Sequence, residues 1–209
     1  MTYGDFYAKQ FWSSPAADYL RGRGLLHSTI TRFNLGYVGE AARGHHRYRG
    51  MVSIPYSDGL GRERGIRYRA LPGREDNIRY LATKGFNHLF AVRATDHGVV
   101  YLCEGEIDAM ILWQLGYRAV GIPGANAWQD YHKFLFRNCE EVRIVFDNDT
   151  PTRGGRRQNP GQQAAAKIWR SLERIGVVTQ AVMLPAGMDV NEAYLEMGEK
   201  SLRDLLEVA

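Results

Sequence analysis

The feature that most constrains this fold is the regular alternation of apolar runs and helix-like segments from residue 99 onward. The first apolar run, Val99–Cys103, is continuous, as expected for a strand buried on both faces of a parallel sheet. A helix is predicted after each strand, including one over residues 127–137. Further strands are predicted at residues 118–122, 142–146 and 177–184. The alternation predicts an α/β domain with a parallel sheet and helices on both faces.

The first half of the chain is organised differently, with frequent glycine and arginine and only short strand-like runs. Helices are predicted over residues 11–26 and 28–33, the second with Ser28 as its N-cap. Strands are predicted at residues 51–56 and 64–71, and residues 73–98 are predicted to be irregular. We therefore predict a smaller mixed α+β subdomain over residues 1–98, followed by the α/β domain over residues 99–209.

Charge and cysteine content narrow the class of protein. The 209 residues carry a net charge of +4, which mildly favours a polyanionic partner. No apolar run reaches the length of a membrane span, so we expect no membrane association. The two cysteines, Cys103 and Cys139, are too few for a disulfide framework or a zinc cage. These features predict a protein of the reducing cytoplasm without zinc in this chain.

Acidic residues follow the predicted strands at the edge where α/β sheets bind ligands. Glu104 comes directly after the first strand, and Asp147 and Asp149 come directly after the third. If these strands are neighbours, the three carboxylates converge, and a hard divalent cation such as Mg²⁺ would relieve their repulsion. Asp189, after the fourth strand, is a further candidate. The alternative is that these acids cap helix N-termini.

The order of these acidic motifs resembles a known family. The motifs are Glu-Gly-Glu-Ile-Asp-Ala from Glu104, Phe-Asp-Asn-Asp ending at Asp149, and Gly-Met-Asp-Val-Asn-Glu around Asp189. Together they resemble a TOPRIM domain, with its Rossmann-like parallel sheet, in the form found in DnaG-type and phage-type DNA primases. The resemblance implies that Glu104, Asp147 and Asp149 bind Mg²⁺ or Mn²⁺, with support from Asp189 and Asp108.

The first half resembles the start of the RNA polymerase domain of the same primases. The resemblance lies in Tyr-Leu-Arg-Gly-Arg-Gly-Leu from Tyr19, in Phe-Asn-Leu-Gly-Tyr from Phe33, in Arg-Tyr-Arg-Ala-Leu around Arg69, and in the basic segment containing Arg79 and Lys84. It implies a subdomain that handles template and nucleotides, with Arg69, Arg79 and Lys84 holding phosphates and Lys84 also taking part in catalysis. The implied partners are single-stranded DNA and ribonucleoside triphosphates, with a replicative helicase and a separate zinc-binding module as further possibilities.

Three departures from the family pattern bear on this hypothesis. Residues 150–160 form a basic insertion before the glycine that usually follows the aspartate pair, and either nucleic-acid contact or a plain surface loop would account for it. Met188 stands where phage-type relatives carry lysine. No zinc-binding module and no helicase phosphate loop are found.

The four tryptophans are predicted to pack rather than to stack on bases: Trp12, Trp113, Trp128 and Trp169.

The function predicted from the sequence is therefore that of a DNA primase core that makes RNA primers on single-stranded DNA. A TOPRIM nuclease would use the same acids, and a module that only binds single-stranded DNA or a helicase would use the basic residues alone. Metal-dependent degradation without nucleotides would indicate the first alternative. Salt-dependent binding without metal-dependent activity would indicate the second.

Overall fold

The chain forms two compact units in a computed structural model, residues 1–88 and residues 89–209. The structure describes residues 1–74, 76–96, 98–147 and 160–207, with backbone alone at residues 125, 160 and 162. The units divide ten residues before the boundary predicted at residue 98, because Phe90 already pairs with Gly121 of the second unit. No helix in the described ranges is both long and apolar enough to cross a membrane.

The first unit is a four-stranded antiparallel sheet with short helices. The strands lie in the order β1-β2-β3-β4, and the central strand β2 is almost wholly buried. Three helices precede the sheet in sequence. The elements are α1 (Tyr3–Ala8), α2 (Pro15–Gly22), α3 (His27–Arg32), β1 (Gly36–Tyr37), β2 (Met51–Ser57), β3 (Glu63–Ala70) and β4 (Tyr80–Ala82).

Two residues that are unusual in a sheet, Gly36 in β1 and Pro55 in β2, each have a structural explanation. A Cβ at Gly36 would lie 2.5 Å from the carbonyl carbon of Tyr7, so only glycine permits this contact. Pro55 lies in β2 beyond the two residues that pair with β1. Its missing N–H therefore costs no ladder hydrogen bond.

An aromatic cluster around His45 fills the core of this unit. Tyr7 Oη lies 2.8 Å and Tyr68 Oη 3.3 Å from His45 Nδ1, and the rings of Tyr48 and Tyr68 stack with centroids 3.8 Å apart. Tyr7 Oη also accepts a hydrogen bond from Ala42 N. Burial raises the pKa of Tyr68 and lowers the pKa of His45.

The lowered pKa of His45 predicts that acid weakens this unit. The unfolded histidine titrates near its ordinary value of about 6.5, so below that pH the unfolded chain binds a proton that the folded chain resists. Stability is thus fully present above about pH 6.5 and decreases as the pH falls toward the folded pKa. We expect the urea midpoint of the wild type to be lower at about pH 5.5 than at about pH 7.5. In His45→Gln the urea midpoint should change less between these two pH values. An equal change in both proteins would contradict the assignment to His45.

The second unit is a parallel sheet with the strand order β6-β5-β7-β8. Its strands pack with the helices around a core that includes Leu102, Val120, Ile144 and Ile168. The elements are β5 (Val99–Cys103), α4 (Glu106–Gln114), β6 (Ala119–Gly121), β7 (Glu141–Val145), α5 (Pro160–Glu173), β8 (Val178–Ala181) and α6 (Val190–Glu207), which is interrupted at Gly198. The predicted α/β class and the preceding α+β subdomain are confirmed.

Several local predictions were wrong for identifiable reasons. The helix predicted over residues 11–26 is limited to α2, because Pro15 occupies its first position and residues 9–14 form a turn. Ser28 does not cap α3, which begins one residue earlier with Leu26 at the N-cap. Residues 73–98 contain β4 and a short 3-10 helix. Residues 130–136 form a 3-10 helix instead of an α-helix, with the His132 side chain accepting from Gln129 N.

The tryptophans divide into two groups. Trp128 is buried, and Trp113 and Trp169 pack against the core of the second unit, as predicted. Trp12 is the exception, because its side chain is 47% exposed. Its packing role is therefore not supported.

Candidate functional site

The acidic edge of the second unit is fixed by the register of two adjacent parallel strands. Cys103, the last residue of β5, pairs with Val145, the last residue of β7. Glu104 therefore leaves the sheet one residue beyond this pair, and Asp147 two residues beyond it. Neighbouring strands are about 4.8 Å apart, so the two partly buried acids begin side by side. The neighbour relation that the sequence left conditional is present.

The pKa of the buried Cys103 thiol indicates which other acids lie near this edge. Burial raises its pKa strongly, and the negative charges of Asp108, Asp147 and Asp189 raise it further. Three carboxylates therefore lie close enough to the end of β5 to act on the same group.

Asp108 and Asp189 both organise the start of α6. Asp108, in the first turn of α4, accepts a hydrogen bond of 3.0 Å from Asn191 N with its Oδ1. Asp189 accepts from Glu192 N at 2.6 Å, while Asp189 N donates to Glu192 Oε2 at 3.1 Å. This reciprocal pair is a capping box. Asp189 therefore caps the N-terminus of α6, as the alternative interpretation of the acids predicted. The contacts hold both side chains in place at the acidic edge.

A close backbone contact positions Glu104. A Cβ on Gly121, at the end of β6, would lie 2.7 Å from the carbonyl oxygen of Gly105. Glycine is thus required for β6 to pass beside the residue that follows Glu104. The sequence analysis did not single out Gly121, because a glycine in a predicted strand gives no sign of which backbone atoms lie beside it.

The donor set is suited to a hard divalent cation. Carboxylate oxygens are the ligands that Mg²⁺ prefers, and Mg²⁺ usually retains several waters while using one or two protein carboxylates. Among residues 1–74, 76–96, 98–147 and 160–207, no group of three or more acidic, histidine or cysteine side chains is placed to hold a metal ion. Asp149 and the basic insertion over residues 150–159 lie outside the described residues. The acids at the ends of β5 and β7 are of the chemical type that binds such an ion.

The first unit has its own candidate site, at the hairpin between β3 and β4. A cavity of about 430 Å³ opens there. Of the three cations predicted to hold phosphates, Arg69 and Arg79 both line it. Lys84 lies beyond the other end of β4, in an exposed turn. The remaining lining residues are Tyr19, Ala70, Leu71, Pro72, Gly73, Arg74, Asn77, Ile78 and Tyr80.

Two tyrosines orient the guanidinium group of Arg69. Its Nε donates to Tyr19 Oη at 2.8 Å, and its Nη1 donates to Tyr80 Oη. Tyr80 pairs with Arg69 across the strands, and the guanidinium of Arg67 lies 4.0 Å from the centre of the same ring. An arginine held in this way has a fixed guanidinium plane, and its remaining N–H donors are oriented to bind an anion. The site prediction left out Tyr19 and Tyr80, which lie in α2 and β4 and not in the strand that carries Arg69.

The two units differ in charge. Residues 1–88 contain 14 Lys and Arg against 7 Asp and Glu, whereas residues 89–209 contain 13 against 16. The excess positive charge is therefore confined to the unit that holds the arginine cavity. Attraction of a polyanion should arise chiefly there.

The sequence of this chain is similar to a Toprim-like family, to a phage protein and to a bacterial DNA primase. Residues 101–194 match the Toprim-like family. The Gene 57 protein of Mycobacterium phage D29 is 27% identical over 164 residues, which cover 74% of this chain and 97% of that protein. The DNA primase of Deinococcus radiodurans is 26% identical over 243 residues, covering 96% of this chain but only 41% of the primase.

A solved structure extends the likeness to the fold of the whole chain. The crystal structure of the zinc-binding and RNA polymerase domains of the Aquifex aeolicus primase matches with a TM-score of 0.79 and 23% identity. The match covers 98% of this chain and 58% of that one. Both units described above thus have counterparts in that structure, and the chain shares its fold over the matched part.

Proposed function

We propose, from this fold and its acidic edge, that the chain is the catalytic core of a DNA-dependent RNA primase. It would join ribonucleotides into short primers on single-stranded DNA as a nucleotidyltransferase. The observation that carries the proposal is the register of β5 and β7, which starts Glu104 and Asp147 side by side within a Toprim-like segment. A primase needs acids at this place to hold the ions that act on the reacting phosphate.

Mg²⁺ or Mn²⁺ is the proposed cofactor. Glu104 and Asp147 would hold it, together with Asp149 and with Asp189 at the helix cap. When bound, the ion stabilises negative charge on the reacting phosphate oxygens. The carboxylates would also orient water around the ion, since the buried β5 and β7 strands limit how far these side chains can move. Asp108 would act indirectly, by holding the start of α6.

The first unit is proposed to bind the anionic substrates. Arg69 and Arg79 would contact phosphates of the template or of the incoming ribonucleoside triphosphate, and Lys84 would contact phosphate near the reaction. Support comes from the shared cavity of the two arginines and from the positive charge of this unit. A replicative helicase and a zinc-binding module, such as the one in the Aquifex structure, are the proposed protein partners.

Primer synthesis tests the proposal directly. A mixed-sequence single-stranded DNA would be incubated with labelled ribonucleotides and Mg²⁺ or Mn²⁺. Short RNA products that require both the template and the metal are expected. Degradation of the DNA without ribonucleotides would favour a nuclease. Template binding without either product, even with a zinc-bearing primase module added, would reduce the chain to a binding module.

Replacing Arg69 should weaken binding to nucleic acid. Arg69→Ala removes one oriented cation, so the affinity for single-stranded DNA should fall about tenfold and the salt dependence should decrease by about one ion. Arg69→Lys keeps the charge but loses the planar fork, and it should recover only part of the loss. Affinities measured by fluorescence anisotropy at several salt concentrations would check this.

Arg64→Ala is the matched control for Arg69. Arg64 lies on the same strand but pairs with Asp58 instead of lining the cavity. It should change the affinity much less than Arg69→Ala. Equal losses in the two variants would mean that only the overall charge of the unit matters.

A further inference from the structure

An exposed stack of two aromatic rings lies on the surface of the first unit. The rings of Trp12 and His27 are nearly parallel, at 10°, with centroids 4.2 Å apart. Trp12 is 47% exposed, and His27 is also exposed. The neighbouring Leu26 adds a further apolar side chain that is 55% exposed. A flat apolar surface of this kind, open to solvent, is a common mark of a binding site.

The turn that carries Trp12 is firmly anchored. Phe11, next to it, is fully buried and meets the Trp12 ring edge-on at 5.0 Å. Ser14 Oγ donates to the Phe11 carbonyl at 2.6 Å, and Ser14 N donates to the same oxygen at 3.0 Å. His27 is the first residue of α3, so its backbone is fixed as well. The stack is therefore presented on two rigid supports, with little ordering left for a ligand to impose.

The chemistry of the stack suits a nucleobase. Aromatic side chains bind single strands because every base offers a flat π-face, whatever its identity. Duplex DNA keeps its bases stacked inside and cannot use such a surface. The stack also belongs to the unit with 14 basic against 7 acidic residues, which attracts the phosphates that accompany the bases.

We propose that the exposed Trp12–His27 stack is a platform on which a base of single-stranded DNA stacks. The proposal rests on the proposed primase function and adds a template contact to it that is separate from the arginine cavity. It assigns a binding role to Trp12, for which the sequence had indicated packing. Neither residue would take part in the chemistry itself.

Intrinsic fluorescence offers a direct test, because Trp12 is the most exposed tryptophan of the chain. The full chain would be titrated with oligodeoxythymidylate of about 16 nucleotides, within the site sizes known for single-strand binding. Stacking should quench the emission of the wild type. Trp12→Phe keeps a ring, so it should retain most of the affinity while losing this quench. An unchanged quench in Trp12→Phe would overturn the proposal.

Affinity gives the second test. Trp12→Ala should weaken single-strand binding by about 5- to 100-fold, the range expected when one stacking aromatic is removed. Binding to duplex DNA should remain within about twofold. Leu60→Ala is the matched control, since it removes an exposed apolar side chain of the same unit without a ring, and its affinity should stay near that of the wild type.

The possible results separate clearly. Unchanged single-strand affinity in Trp12→Ala would overturn the proposal and leave the stack as a contact between the turn and α3, or as a protein-binding surface. An equal loss for duplex and single strand would overturn it too. If Trp12→Ala unfolds, the comparison between wild type and Trp12→Phe still decides. Repeating the titration in an Asp147→Ala background separates this result from the primase proposal, because template stacking requires no catalysis.

Discussion

Asp147→Ala is expected to abolish metal-dependent primer synthesis, with a loss of at least about 100-fold. The variant removes one of the two carboxylates that start side by side at the ends of β5 and β7. A metal ion held there would lose a negatively charged ligand, and the reacting phosphate would lose the charge stabilisation that the ion provides. Binding to single-stranded DNA should be retained, because Arg69 and Arg79, the arginines proposed to bind it, lie in the other unit.

The metal role of Asp147 has a readout that is independent of activity. Mg²⁺ or Mn²⁺ that binds only the folded chain should raise the thermal midpoint of the wild type. Asp147→Ala should lose most of this rise. Glu141→Ala is the control, since Glu141 lies at the opposite end of the same strand, where it pairs with Arg143. Full primer synthesis by Asp147→Ala would refute the assignment.

Gly121→Ala is expected to destabilise the second unit strongly. Its new Cβ would lie 2.7 Å from the backbone oxygen of Gly105, and backbone cannot yield as a flexible side chain can. We expect a loss of about 2 to 4 kcal/mol in the free energy of unfolding. If the loop moves to relieve the contact, Glu104 moves with it, and activity should fall by at least about tenfold even where the protein stays folded.

Urea unfolding and primer synthesis on the same preparation would check this prediction. Gly22→Ala is the control, because a Cβ there has no atom within 4 Å and the residue ends an α-helix. It should cause no loss, since alanine favours the helix more than glycine does. Wild-type stability and activity in Gly121→Ala would mean that the loop after β5 adapts freely.

Strand-level predictions succeeded where buried apolar runs dominate the sequence. Val99–Cys103 was predicted with its observed bounds, and the strands at residues 51–56 and 142–146 were each within one residue at either end. Burial on both faces makes such runs nearly independent of their surroundings. The order of the strands does not follow from any run, so the neighbour relation of β5 and β7 had to come from the fold.

Predictions that depend on single turns were less successful. The helix α1 went unnoticed, although Thr2 and Asp5 form a capping box at its start. Residues 127–137 have helical composition, but His132 accepts a hydrogen bond from Gln129 N and Asp130 accepts one from Ser171 of α5, and these contacts favour a tighter turn. These outcomes depend on contacts that composition and spacing do not encode.

Site predictions divide in the same way. The acids could be found because they follow buried strands directly. Tyr19, which orients Arg69, comes from a helix fifty residues earlier in the chain. No local pattern connects the two residues. The role of Asp189 as a cap and its nearness to Cys103 likewise depend on where α6 begins.

The strand order of the second unit also bears on how the chain is made. Both partners of β5 follow it in sequence, β6 after one helix and β7 nearly forty residues later. During synthesis the central strand therefore emerges with both edges unsatisfied, and its apolar residues stay accessible until later segments leave the ribosome. The β2–β3 hairpin, joined by a short connection, can close at once. We expect the second unit to be the aggregation-prone, chaperone-dependent part of the nascent chain.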